Sequence, residues 1–346
     1  MTFIYFVFVL GVTIMIHEFG HFLFAKRAGI YVYEFSLGMG PRIFHWNRKG
    51  DETTYAIRLF PIGGFVSMAG EDMEADDSIP KEKQMCNKSW MERFLVIIAG
   101  ILFNFLLAII LLFVVALING TPTTKPYIDT LDSNYPIAET AITHGDLITN
   151  INGKKIHSLD RLLLELQIHT GETLAITVKH LSGETETVSV RPILTEEDGV
   201  SSYRYGFTLQ SETNRSILSA LKYAFTKTGS LMEQMVMIIG YLFTGKLSLD
   251  NLAGPIGIFG IVGETAKAGF LNLLYLIAYL CINVGFINFI PLPAFDGGRL
   301  LFLVIEKIKG SRVNPKVENA IHSVGFLLLM ILMVVITYND VLRLFR

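Results

Sequence analysis

Apolar residues gather in four long runs, 3–25, 94–118, 270–290 and about 321–338, each nearly free of charge. About 20 apolar residues in a helix cross the hydrocarbon core of a bilayer, so the pattern predicts four transmembrane helices. Between the first two runs the period shortens. Segments 30–37, 42–46, 53–59 and 64–68 are rich in β-branched and aromatic residues, punctuated by Gly38, Gly40, Pro41, Pro61, Gly63 and Gly64. They predict two β-hairpins near the membrane surface. The acidic stretch 71–77 has no apolar period and is expected to be a solvated linker. From 121 to about 194 the chain takes on the composition of a small β-rich domain. Residues 138–153 hold an alternating strand closed by Asn152-Gly153, and 161–170 an amphipathic helix. Strands 173–180 and 185–192 pair around Ser182-Gly183. Segment 216–243 is apolar but carries Lys222, Lys227 and Glu233, and its longest clean part, 235–243, is too short to span. An interfacial or re-entrant helix fits it. Gly254, Pro255 and Gly257 then break the helix ahead of the third run.

The polar residues orient these spans. Lys26, Arg27, Arg42, Arg48, Lys49, Arg58, Lys81, Lys83, Lys88 and Arg93 lie between the first two, and Arg299, Lys307, Lys309, Arg312 and Lys316 between the last two. Both loops fall on one side if all four runs span, and the positive-inside rule makes that side cytoplasmic. The β-rich domain is then extracytoplasmic. Four regions follow: 1–120 with the first two spans, 121–195 with the β-rich domain, 196–260 with the interfacial segment, and 261–346 with the last two spans.

Composition agrees with a membrane protein. Hydrophobic residues make up 51% and charged residues 17%, and mean hydropathy is +0.47, too apolar for an ordinary soluble chain. A formal net charge of -2 gives no basis for nucleic-acid binding. Cys86 and Cys281 have neither disulfide nor metal-ligand spacing. The first run lacks the basic flank and small-residue cleavage site of a signal peptide, so it is expected to be a retained span.

The chemistry begins inside that first run, at His17-Glu18-Phe19-Gly20-His21. On a helix His17 and His21 lie at i and i+4, so both imidazoles reach one metal ion, while Glu18 is placed to take a proton from an attacking water. A carboxylate at mid-bilayer costs roughly 2.5–3.5 kcal/mol, so ionisable groups there face a cavity and do chemistry. The third run ends in Asn288-Phe289-Ile290-Pro291-Leu292-Pro293-Ala294-Phe295-Asp296-Gly297-Gly298. Asp296 sits at the depth of His17 and His21, on a stretch that prolines and glycines free from regular helix. Two histidines, a carboxylate and a water make the open tetrahedral zinc site of a hydrolase.

HEFGH paired with NFIPLPAFDGG resembles the site-2 protease family of intramembrane zinc metalloproteases. It is most similar to the bacterial regulator-of-sigma-E protease type. GMGP, PIGGFVSMAGED and LAGPIGI extend the likeness over almost the whole chain, and the β-rich insert resembles a PDZ domain, a module that captures extended peptides by strand addition. His144, His157, His169 and His180, scattered in that insert, are expected to be surface or turn residues. The resemblance implies a polytopic α-helical protein of the bacterial cell membrane with one PDZ-like domain. It also implies a Zn2+ cofactor held by His17, His21 and Asp296, and catalytic Glu18. Asn104 matches a motif thought to bind substrate or stabilise the oxyanion, and Asn288 is implied to orient ligands or substrate. The implied substrates are single-span membrane proteins such as anti-sigma factors or remnant signal peptides, met within the lipid.

A substrate helix must unwind before attack, and its freed backbone groups then need partners in a water-poor setting. An edge strand within 53–68 would supply them, with Gly63 and Gly64 allowing close approach and Phe65 and Val66 anchoring the hairpin in the interface. Two rival classes use part of the same equipment. A membrane zinc transporter or sensor would need an acidic or histidine ladder on later spans, which is missing. An inactive peptide-binding scaffold would have no use for Glu18.

Overall fold

The structure, a computed structural model, describes residues 1–72, 76–197, 200–211, 213–343 and 345. Residues 73–75 of the acidic stretch therefore lie outside the described residues. The helices are α1 (Thr2–Arg27), α2 (Trp90–Asn119), α3 (Leu159–Ile168), α4 (Ile217–Phe243), α5 (Pro255–Lys267), α6 (Phe270–Phe289), α7 (Asp296–Lys309) and α8 (Pro315–Arg343). Among them α1, α2, α6 and α8 are long and apolar enough to cross a membrane, and they coincide with the four apolar runs. Two compact units emerge, residues 1–111 with 248–346, and residues 112–247.

In the first unit α1 is apolar nearly all round, as suits a helix with neighbours on several sides. It buries Val9, Thr13, His17, Gly20, His21 and Ala25. Backbone meets backbone where it crosses α2: a Cβ on Gly20 would lie 2.5 Å from the Ala99 carbonyl oxygen. Small residues permit such approach between membrane helices.

Strands β1 (Val32–Asn47) and β2 (Thr54–Met68) form one long antiparallel hairpin rather than the two expected. Both strands bend, so that residues 34–37 pair with 64–67 on one side and with 54–57 on the other. The resulting order is 64–68, 32–37, 54–60, 42–47. Left-handed backbone at Gly38 (φ +89°), Gly40 (φ +83°) and Gly63 (φ +90°) makes the bends, a conformation that a Cβ disfavours. Buried Glu34 ties the layers together, accepting from Arg58 Nη2 at 2.7 Å and from Arg42. At the hairpin turn, Lys26 Nζ reaches Asp51 at 2.8 Å and Glu52 at 2.7 Å. That ammonium holds the Asp51 carboxyl well below the usual carboxylate range and fastens the turn to the end of α1.

Helix α7 was not expected, because its start at Asp296-Gly297-Gly298 looks like a helix breaker. It is fixed to the start of α2 by a two-pronged pair, Arg93 Nη1 and Nη2 to Glu306 Oε2 (2.8 Å) and Oε1 (2.6 Å). Trp90 Nε1–H donates to the Leu303 carbonyl at 2.7 Å. The expected break at Gly254–Gly257 is instead a helix start: α4 already stops at Phe243, Pro255 opens α5 at a position suited to a residue without an N–H, and Gly257 lies within that helix. Buried Asp340 of α8 caps that start, accepting from Gly254 N–H (3.2 Å) and Gly257 N–H (2.9 Å).

The second unit contains strands β3 (Thr121–Pro122), β4 (Ile128–Leu131), β5 (Leu147–Ile151), β6 (Lys154–Lys155), β7 (Leu174–Lys179), β8 (Thr185–Val190), β9 (Ile193–Glu197), β10 (Val200–Arg204), β11 (Phe207–Leu209) and β12 (Thr213–Asn214). The main sheet runs β6-β5-β7-β8, with a β5–β6 turn at Asn152 (φ +48°) and Gly153 (φ +78°). Ile148, Ile151, Leu162, Ile176 and Val178 form its core with Ile128 and Tyr205. Pairing of β11 with β4 and of β12 with β3 brings segments beyond 195 into this unit. So do contacts of α4 with α3: Lys227 and Ser230 meet Asp160, Arg161 meets Glu233, and the Tyr241 hydroxyl meets Glu165.

Replacing Gly20 with valine would push a branched side chain into the Ala99 carbonyl, which is backbone and cannot step aside. The expected outcome is a large loss of thermal stability in detergent together with loss of bound metal. Gly11, which has nothing within 4 Å of its would-be Cβ, should accept alanine with little change.

Candidate metal centre

Three side chains from two helices converge in the first unit. His17 and His21 come from successive turns of α1, and Asp296 is the first residue of α7. Their donor atoms lie almost equally far apart: Nε2 to Nε2 at 3.2 Å, His17 Nε2 to Asp296 Oδ2 at 3.1 Å, and His21 Nε2 to Asp296 Oδ2 at 3.2 Å. A tetrahedral ion with bonds of about 2.0–2.1 Å has edges near ~3.3 Å, so this triangle fits one face of a zinc site. Two imidazole nitrogens turned toward each other beside a buried, otherwise unpartnered carboxylate oxygen are an arrangement that a divalent cation resolves.

The other ring nitrogens settle which face of each imidazole is offered. His21 Nδ1–H donates to the Val96 carbonyl of α2 at 2.9 Å, which leaves Nε2 bare toward the cluster. The ring lies flat on α2 because residue 100 is glycine; a Cβ there would sit 2.3 Å from His21 Nε2. His17 Nδ1 is 3.2 Å from the position given to Asn104 Nδ2, and rotating the amide by half a turn places Oδ1, otherwise buried without a partner, there instead. With Nε2 turned to the cluster, Nδ1 carries the proton, so the amide oxygen is the partner that can receive it. Asn104 is fully buried and lines no part of the adjoining cavity.

That cavity has a volume of about 360 Å³. Glu18, His17, His21 and Asp296 form one wall, Phe65, Val66 and Met68 of β2 another, and Asn288 and Arg299 complete the rim. Arg299 is held in place by Glu71, Nη1 to Oε1 at 2.8 Å. Gly64 begins the edge strand, its would-be Cβ 3.6 Å from Glu18 Cγ and 2.9 Å from the Ser36 carbonyl oxygen. At Gly63 a Cβ would strike Met39 at 2.7 Å. His17, Glu18, His21, Phe65, Val66, Asn288 and Asp296 therefore gather here, Gly64 sits against Glu18, Asn104 stands behind His17 instead of in the cavity, and Gly63 faces Met39 away from it. Phe65 and Val66 line the cavity and do not anchor the hairpin in an interface. Exposed Met39, Ile43, Phe44, Trp46, Leu59 and Phe60, on the other bend, are the apolar residues turned outward. Gly100, the Val96 carbonyl and Arg299 were not foreseen. Two small residues in mid-span, Ala99-Gly100, were the available signal for the first.

Comparison with known proteins agrees with this geometry. The description "Peptidase family M50" matches residues 5–332. The regulator of sigma-W protease RasP of Bacillus subtilis is 32% identical, over 99% of this chain and 99% of its own. The zinc metalloprotease RasP of Bacillus licheniformis is equally similar, at 32% over the same shares. A putative zinc metalloprotease of Clostridium perfringens is 35% identical over 95% of each chain. With a buried two-histidine, one-carboxylate cluster inside a match that runs nearly end to end, this chain belongs to peptidase family M50, the site-2 proteases, and is a zinc metalloprotease.

Proposed function

We propose that the protein cuts single-span membrane proteins within or near their membrane segments, from a site close to the cytoplasmic face of the bacterial cell membrane. The observation that carries this is the position of the triangle His17, His21 and Asp296: its ligands sit on α1 and at the junction of α6 and α7, among helices long enough to span. Zinc, when bound there, supplies a Lewis acid and makes water a usable nucleophile near neutral pH. Glu18 takes the proton of the attacking water and delivers it to the leaving amide nitrogen. Asn104 acts through His17, keeping Nδ1 protonated and Nε2 aimed inward, and so is a positioning residue and not one that meets substrate. Asn288 and Arg299 face the cavity from α6 and α7 and are placed to contact the scissile segment.

Residues 64–68 form an edge whose strand neighbour among the described residues is 32–37, and their other side borders the cavity. An unwound substrate adding to this edge pairs its backbone without regard to side-chain identity, which suits varied substrates. In the second unit a groove of about 1000 Å³ runs between α3 (Leu163, Leu166, Gln167) and β11. The pairing of β11 with β4 leaves it one open edge, which supports a PDZ-like role in capturing a peptide outside the membrane. The sigma-regulating name of the Bacillus subtilis relative favours anti-sigma factors as the substrate class. The lysine and arginine bias of the loops at 26–93 and 299–316 supports placing the metal centre toward the cytoplasm.

Incubation of the purified protein with a panel of single-span segments, with and without a zinc chelator, tests the activity directly. Glu18→Gln should retain zinc and lose about 10²–10⁴-fold in turnover, the range for a general base. Asp296→Asn should lose zinc as well. Near-normal turnover by Glu18→Gln would overturn the mechanism.

Val66→Pro removes one backbone N–H from the edge strand. Cleavage of membrane segments should fall severely while zinc content stays close to that of the parent; unchanged cleavage by the folded variant would refute substrate pairing at this strand. Cys86 and Cys281 are buried, so engineered cysteines report topology with little background. Asn152→Cys should react with an impermeant reagent on intact cells, and Lys49→Cys only after permeabilisation. The opposite result would place the metal centre on the outer side.

A further inference from the structure

The loop that delivers Asp296 has a backbone form its own residues do not favour. Phe295 N–H donates to the Leu292 carbonyl at 3.3 Å, closing a turn around Pro293 and Ala294. Ala294 lies at φ +76°, the left-handed region that a residue with a Cβ avoids. Proline first and a positive φ second define a type II turn, whose second central place is normally glycine. Rotation of the Pro293–Ala294 peptide would give a type I turn, with Ala294 near −90° and no such strain.

Helix α8 supplies the restraint. Ala294 N–H donates to His322 Nδ1 at 3.0 Å. Since a backbone N–H only donates, Nδ1 is bare and the ring proton sits on Nε2, which is buried without a partner. The ring packs against Phe302, centroids 5.7 Å apart, and against Gly298, whose would-be Cβ is 3.1 Å from Cε1. One turn along α8, Gly325 meets the same loop so closely that a Cβ would lie 2.3 Å from Pro293 Cβ. A buried N–H without an acceptor is unfavourable, so the ring is suited to this place by the bond at its other nitrogen and not by packing alone. Flipping the central peptide would turn the Ala294 N–H away from Nδ1. Asp296, two residues on, opens α7 and must hold Oδ2 within about 3 Å of both imidazoles.

We propose that His322 is a positioning residue of the metal centre: by accepting the Ala294 N–H it holds the 292–295 turn in the form that aims Asp296 at His17 and His21. The proposal rests on Asp296 being a zinc ligand. His322 touches neither metal nor substrate and acts only through the loop backbone.

The test uses full-length protein in detergent, with zinc affinity measured by competition against a chromophoric chelator and thermal unfolding of the zinc-free form recorded beside it. His322→Phe fills the space without an acceptor and should weaken zinc 10–100-fold, the usual cost of losing a partner behind a ligand. His322→Asn, whose Oδ1 falls near the place of Nδ1, should stay close to the parent. Adding Ala294→Gly to His322→Phe should restore most of the affinity, because glycine adopts the positive φ without help. A packing defect alone would not respond to that change. Parental affinity in His322→Phe, or a double variant no better than His322→Phe, would overturn the proposal. If His322→Phe does not fold, His322→Ala against His322→Asn decides: loss with alanine and retention with asparagine supports it, and equal loss overturns it. Asp296→Asn separates the two layers. Zinc retained in that variant removes the ligand assignment itself, whereas zinc lost there but kept in His322→Phe removes only the role of His322.

Discussion

Two imidazoles and three carboxylate or amide groups buried among apolar helices set the terms for the rest of this molecule. Each would be costly alone in a medium without water, and together they are tolerable only if every polar atom has a partner. His21 uses its second nitrogen on the Val96 carbonyl and His17 turns its own toward Asn104, while both first nitrogens converge on Asp296. Helix approach follows from this need. The His21 ring reaches α2 only because Gly100 has no side chain, and α1 reaches α2 only because Gly20 faces the Ala99 carbonyl.

The same scarcity of water explains the company the metal centre keeps. A peptide bond becomes accessible only when its helix opens, and the freed donors and acceptors must be satisfied at once. A bent hairpin of four strand segments, with its edge at 64–68 along the cavity wall, offers such partners from a rigid support. Its rigidity comes from buried Glu34 bridging to Arg58 and Arg42, and from Lys26 clasping the turn acids. Glycine at 64 keeps the strand close to Glu18 without a side chain between them.

The spans and the ligand pair of α1 were legible because long apolar runs and an i, i+4 histidine pair are local patterns. Asp296 was legible from its depth and from the prolines and glycines around it. The hairpin strands were visible as four short segments, but their joining into two bent strands was not. That depends on φ > 0 at Gly38, Gly40 and Gly63, which a turn would equally explain. Helix α7 was hidden by the glycine pair at its start; its stability comes from Arg93–Glu306 and Trp90–Leu303, contacts more than two hundred residues apart. His322 carried no signal, because at the polar start of an apolar run, with Glu318 and Asn319 one turn before it, nothing local points to the 292–295 turn.

The three ligands are not equally secure. His17 and His21 share one helix, so their separation is fixed by helical geometry and survives small shifts of α1. Asp296 stands on a different element, and its distance to the pair is set by whatever holds the start of α7. The Arg93–Glu306 pair fixes the far end of that helix to α2, Arg299 ties its first turn to Glu71, and α8 presses on the preceding turn through His322 and Gly325. With α1 backbone against α2 backbone at Gly20, the His21 ring against Gly100 and the Pro293 loop against Gly325, these elements cannot slide by fractions of an ångström without clash. The precision needed at the metal is therefore drawn from contacts of α7 and its preceding turn with α2, with Glu71 and with α8, and a fault in any of them reaches the chemistry through one carboxylate.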